Sequence, residues 1–149
     1  MSTNSVRTQA DPEQVFNILD DAYAYPRWVV GARRVRHVDA EWPAVGTRFL
    51  HADGTAAGEI HDSSKVLKRE RPHHVALEVR FRPLGVARVD LRVEVDGAGS
   101  IVTIAERPTD GPFALLPKCV REPLLSVRNA LALQRLRHLA DSTRVRTSA

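Results

Sequence analysis

Apolar and polar positions alternate along much of this chain, and the two periods they show, near two and near 3.6, place its elements. Val75, Leu77, Val79 and Phe81 share one face of a predicted strand, with Glu78 and Arg80 on the other. Val89, Leu91, Val93 and Val95 repeat the pattern against Arg88, Asp90, Arg92 and Glu94. This is the pattern of an antiparallel sheet with one face toward water. Asp96-Gly97-Ala98-Gly99 predicts a tight hairpin. Pairing across it sets Val93 opposite Val102, Leu91 opposite Ile104 and Val89 opposite Glu106. Val102, Ile104 and Glu106 then share the apolar face, unless a one-residue bulge reverses them.

The remaining elements follow from local signals. Ser5 to Ala10 reads as a first strand. Asp11-Pro12-Glu13-Gln14 is a helix start, with Asp11 as cap, Pro12 in the first turn and Gln14 completing a capping box. Val15, Phe16, Ile18 and Leu19 give that helix its apolar stripe, and Asp20-Asp21 ends it. A second short helix spans Tyr25 to Val29, closed by Gly31. Strands follow over 33–39, 47–52 and 57–69, with Asp53-Gly54 separating the last two. Pro108 to Pro117 reads as an irregular connection. A long helix from Pro123 to Ala140 carries Leu124, Leu125, Leu131, Ala132, Leu136 and Leu139 as a broad apolar face, with Arg128, Asn129 and Arg135 at its borders. Asp141 to Ala149 reads as a flexible polar tail. The expected architecture is α+β, one domain over residues 1–149. A curved antiparallel sheet of about seven strands, preceded by two short helices, wraps around the long C-terminal helix. Such a sheet closed by a helix tends to enclose a pocket suited to a small apolar molecule.

Composition narrows the classes. At 149 residues the chain is the size of one domain, and 43% hydrophobic residues suffice for a core. No apolar run is long enough to span a bilayer, and no apolar N-terminal segment marks export. The single cysteine, Cys119, forms no internal disulfide, and the expected setting is reduced and cytoplasmic. The net charge of +4 is uneven: residues 1–62 carry 6 basic and 9 acidic side chains, residues 107–149 carry 8 and 3. A basic C-terminal face can meet an anionic ligand, a headgroup or RNA, but a solvated arginine-rich helix is the plainer reading. With aromatics at 5%, base stacking is poorly served, so nucleic acid is not an expected partner, nor is membrane insertion. A monomer or weak dimer is expected. There is no P-loop, dinucleotide-binding glycine loop, HExxH or GxSxG motif, so neither a cofactor nor serine hydrolysis is expected.

The order strand, two helices, six strands and long helix resembles the helix-grip superfamily of START lipid-transfer domains, Bet v 1 allergens and bacterial polyketide cyclases (SRPBCC). The segments A-D-P-E-Q-V-F-N-I-L-D-D at 10–21 and Y-P-R-W-V-V-G at 25–31 look like its first and second helices. V-D-A-E-W-P-A-V-G-T-R at 38–48, E-R-P-T-D-G-P at 106–112 and V-R-N-A-L at 127–131 are similar to a subgroup of small bacterial proteins called polyketide cyclase or dehydrase. The resemblance implies that the cavity between the sheet and the last helix is the ligand site.

Glu106 is the first candidate for chemistry. An inward carboxyl at a strand end is pushed toward its neutral form by burial, which suits acid–base work on an enolisable carbonyl. An ion pair with Arg128 is its structural alternative. His51 and His61, on adjacent strands, are further catalytic candidates. Glu59 and Asp62 lie near them, but no third ligand is evident and no metal is expected. Trp28 can wall the pocket mouth or pack in the core, Tyr25 can donate a hydrogen bond there, Trp42 pins a loop, and either Arg128 or Asn129 can reach inward to a ligand oxygen. Phe49, Leu77, Val79, Phe81, Leu91, Val93, Ile104 and Leu131 complete the expected ligand-binding set. His73-His74 read as an exposed turn, Arg33, Arg34 and Arg36 as a solvated edge, and Cys119 as no nucleophile. The leading functional expectation is a binder or carrier of a small hydrophobic or aromatic metabolite, polyketide- or lipid-like. A cofactor-independent cyclase, aromatase or dehydratase using Glu106 and a histidine, and a protein- or ribosome-interaction module, are the alternatives.

Overall fold

A computed structural model of the chain describes residues 2–55, 58–81 and 83–148. Among these residues seven strands form one antiparallel sheet in the order β1-β7-β6-β5-β4-β3-β2. The strands are β1 (Ser2–Thr8), β2 (Ala32–Val38), β3 (Arg48–Thr55), β4 (Gly58–Glu70), β5 (His74–Phe81), β6 (Gly85–Asp96) and β7 (Gly99–Asp110). Helix α1 (Pro12–Leu19), a 3₁₀ turn (Ala22–Ala24) and α2 (Tyr25–Trp28) connect β1 to β2. A second 3₁₀ turn (Pro112–Leu115) leads into α3 (Lys118–Ser148), which packs on β1, β7, α1 and α2.

Local chemistry explains the parts that fold as the sequence predicts. At the start of α1 the Asp11 carboxylate accepts from the Gln14 N–H, and the Gln14 side chain accepts from the Asp11 N–H. Asp20, unfavourable at a helix end, is held by Arg69 and Arg71 at 2.7 and 2.6 Å. The β6–β7 hairpin turns at Gly97, whose φ of 59° favours glycine. Val93 pairs with Val102, Leu91 with Ile104 and Val89 with Glu106. The irregularity in that ladder, between Val86 and Ala87, lies beyond Glu106 and leaves its orientation intact.

Elsewhere tertiary pairing overrides the local signal. Asp53 and Gly54 are not a turn: they pair with Ile60 and Glu59, carrying the β3–β4 ladder on to Thr55 and Gly58. β1 begins at Ser2 because it pairs along β7 from Glu106 to Ser100. Residues 108–110 belong to β7, paired with the start of β6. His74 is buried, with Nε2 2.7 Å from Asp90 Oδ1, so only His73 belongs to the turn. Val95 is exposed near the hairpin tip.

Helix α3 departs most from expectation. It begins at Lys118, because the Pro117 carbonyl accepts from the Val120 and Arg121 N–H groups; Pro123 lies inside the helix. It also runs past Ala140 to Ser148. Asp141, expected in a flexible tail, accepts from the Thr8 hydroxyl at 2.6 Å and the Gln9 N–H at 3.0 Å, fastening the helix to the end of β1. The face it buries carries Leu125, Asn129, Ala132, Leu133, Leu136 and Ala140, whereas Leu124 and Leu131 turn to the outside.

Candidate functional site

The β6–β7 register turns Glu106 toward α3, where it is 1% exposed. Arg128 Nη1 stands 3.7 Å from its Oε1, and Arg128 Nη2 donates to the Val30 carbonyl at 3.3 Å. Asn129, the next residue of α3, is buried in the same stretch. Three buried polar atoms here have no hydrogen-bond partner: Glu106 Oε2, Asn129 Nδ2 and Trp28 Nε1. Burial pushes the Glu106 carboxyl above the ordinary glutamate range, with the Arg128 charge and the nearby Asn129 amide opposing it. Orphaned polar atoms are costly inside a protein, so three of them around one space mark a place built for polar contact.

That space is an inner chamber of about 30 Å³, room for about two waters. Leu77, Val79, Val89, Leu91 and Ile104 form its sheet wall, Tyr25 and Trp28 come from α2, and Arg128, Asn129 and Ala132 come from α3. An outer chamber of about 200 Å³ adjoins it, lined by Asp53, Ile60, Asp62, Phe81, Leu84 and Leu125. Val30, Glu106 and Arg128 line both and form their boundary.

Behind Tyr25 runs a chain of buried polar groups. Tyr25 hydrogen-bonds Ser64, and Ser64 Oγ lies 3.3 Å from His51 Nε2. His51 Nδ1 lies 2.9 Å from Asp53 Oδ1, and the Asp53 carboxyl hydrogen-bonds Asp62. Burial alone would raise Asp53, but its hydrogen bonds to His51 and Asp62 and the charge of Arg128 outweigh it and hold the group low. Burial pushes the Tyr25 phenol up to about 12, which keeps it neutral. The strands place these groups by alternation: His51 pairs with Asp62 across β3–β4, and Ser64 lies two residues on, on the same face.

Of the residues singled out from sequence, Tyr25, Trp28, Leu77, Val79, Leu91, Ile104, Glu106 and Arg128 line the inner chamber, and Phe81 lines the outer one. Arg128 and Asn129 both reach the chamber, where one was expected. Five others fall elsewhere. Phe49 is sealed in an aromatic cluster with Tyr25 and Trp42, 4.8 and 4.9 Å between ring centroids. Val93 is fully buried in the core, away from the chamber. Leu131 is 45% exposed on the outer side of α3. His61, paired with Ala52, is exposed on the opposite face from Asp62, so it does not join His51. His51 itself stands behind Tyr25 and lines neither chamber. Sequence reasoning missed Ser64 and Asp53. Their signal was present only as polar residues at inward positions of β3 and β4, visible once the register is known. Trp42 does pin its loop, donating from Nε1 to the Asp20 carbonyl at 2.8 Å. Among the described residues no cluster of three or more His, Cys, Asp or Glu is placed to hold a metal.

An antiparallel sheet gripping a long C-terminal helix over a partly polar cavity defines a helix-grip protein. The chain belongs to the polyketide cyclase / dehydrase and lipid transport family, whose model matches residues 2–140. Solved structures agree on the fold. A protein from Arthrobacter aurescens superposes with a TM-score of 0.74 at 14% identity, over 94% of this chain and 85% of that one. Ara h 8.0201 gives 0.72 at 12% identity, over 94% and 96%. The di-domain ARO/CYC StfQ from the steffimycin biosynthetic pathway gives 0.67 at 13% identity, over 95% of this chain and 50% of that one. No curated protein sequence matches the chain. No helix among the described residues is long and apolar enough to cross a membrane.

Proposed function

We propose that this protein binds a small, largely apolar molecule bearing an oxygen function in the chamber between the sheet and α3, as a binder or carrier. The observation that carries this reading is that Trp28, Asn129 and Glu106 all line one apolar-walled space and each has a buried polar atom without a hydrogen-bond partner, Nε1, Nδ2 and Oε2. Two N–H donors and a carboxyl suit a hydroxyl or carbonyl oxygen on an apolar body. The inner chamber as folded holds only about two waters. A larger occupant therefore enters by displacing Arg128, whose side chain is 38% exposed at the boundary of the two chambers. Native mass spectrometry with 2-naphthol and with naphthalene tests the reading. A one-to-one adduct that prefers 2-naphthol and weakens in Asn129→Ala is expected; no adduct with either compound overturns it.

A second reading, proton transfer on an enolisable carbonyl, is favoured by Glu106 being held toward its acid form while Oε2 stays free to reach an occupant. Deuterium exchange at the α-carbon of α-tetralone tests it. Exchange accelerated by the protein and lost in Glu106→Gln supports catalysis. Binding without accelerated exchange leaves the protein a binder.

A further inference from the structure

Helix α3 is apolar on two opposed sides, and only one packs on the sheet. Leu125, Leu133 and Leu136 are buried beneath it. On its outer side Val120, Leu124, Val127 and Leu131 are 47, 56, 71 and 45% exposed. Their spacing of four, three and four residues sets them in one stripe along the helix. The preceding 3₁₀ turn prolongs the stripe. Its Leu115 is 86% exposed, and Arg121 ties the turn to the helix by donating to the Ala114 carbonyl at 2.6 Å. Pro117 and Pro123, both exposed, add apolar surface between them. Scattered apolar residues need no explanation, but a contiguous stripe of this kind marks a docking surface.

Charge identifies the occupant. Residues 111–140 contain five Lys or Arg and a single acid, Glu122. Arg121 and Arg128 each follow a stripe residue directly, while Lys118, Arg135 and Arg137 are exposed. A second copy of this helix would set arginines against arginines, with no exposed carboxylate in the stretch to meet them. An anionic surface meets them without that penalty.

We propose that the outer face of α3, with the 3₁₀ turn before it, docks on an anionic phospholipid bilayer. Leu115, Val120, Leu124 and Val127 enter the headgroup–acyl boundary, and Arg135, beside the stripe, reaches the phosphates. This is docking at a surface, not insertion of a span. The stripe starts beside the outer chamber. Leu84, 46% exposed and part of that chamber's lining, accepts from the Phe113 N–H of the 3₁₀ turn, and Phe81 packs on Phe113 at 6.4 Å between centroids. A poorly soluble molecule leaving the bilayer would meet the chamber's rim next.

Co-sedimentation of the full chain with phosphatidylcholine vesicles, with and without phosphatidylglycerol, tests the proposal. Binding is expected to the phosphatidylglycerol vesicles and to weaken with salt. The double variant Leu124→Glu/Val127→Glu, at exposed positions and checked for an unchanged melting curve, is expected to weaken it more than about tenfold, as loss of two inserted side chains requires. No binding to either vesicle overturns the proposal. So does binding that the double variant leaves unchanged, which is charge alone. A concentration-dependent dimer that the double variant dissolves, with vesicles left unbound, assigns the stripe to a second copy instead. The vesicles carry no chamber ligand, so failure here is separate from failure of the binding reading.

Discussion

Glu106 and Asp53, both near Arg128, titrate in opposite directions from their ordinary values and so give opposite dependences of stability on pH. Burial raises Glu106, so the folded state favours its protonated form. Its contribution is fully present below the unfolded glutamate pKa and is lost as pH rises through the higher folded value. Glu106→Gln abolishes that loss. Thermal unfolding of the two proteins from about pH 4 to about pH 8 will show the variant gaining on the wild type as pH rises. A constant difference would mean that Arg128 neutralises the group fully. Asp53 is held low despite burial, by His51, Asp62 and Arg128. Its contribution is present above the unfolded aspartate pKa and lost as pH falls through the lower folded one. Asp53→Asn will therefore cost stability near neutrality and less on acidification, read from the same melting series.

Helix α3 shows how far an element can be read from its own residues. Its buried face is set by what it docks against. Leu136, 1% exposed, and Leu131, 45% exposed, look alike in the sequence pattern and differ in their surroundings. Leu136→Ala will cost about 2–5 kcal/mol in urea unfolding, and Leu131→Ala within about 0.5 kcal/mol. The start of α3 is ambiguous in the sequence for a related reason. Two prolines six residues apart both serve as start signals, and the hydrogen bonds to the Pro117 carbonyl decide between them. α1 and the β6–β7 hairpin were legible because their determinants are local. The reciprocal Asp11–Gln14 bonds need only four residues, and Asp11→Ala will lower stability by about 1 kcal/mol in the same assay. Gly97 likewise fixes a register that carries Glu106 inward nine residues later. Asp53-Gly54 shows the converse, a turn-like pair held straight by its ladder partners Ile60 and Glu59.

At the scale of the whole molecule, the sheet and α3 bring together residues that no local signal connects. Sequence pattern reached the β5–β6–β7 wall and Glu106, because hairpin pairing follows from turn chemistry. It did not reach the Tyr25–Ser64–His51–Asp53 chain, which depends on the β3–β4 register and on α2 packing over it. The proposed ligand site is the space bounded by Trp28, Glu106 and Asn129. The most direct test is a titration of the amide NMR spectrum with 2-naphthol, on the wild type and on Ala132→Leu, whose added side chain fills the inner chamber. Saturable shifts are expected at Trp28, Val79, Leu91, Glu106 and Asn129 in the wild type, and none in an otherwise native-like Ala132→Leu spectrum. Equal shifts in both proteins, or shifts confined to the outer face of α3, would contradict that site.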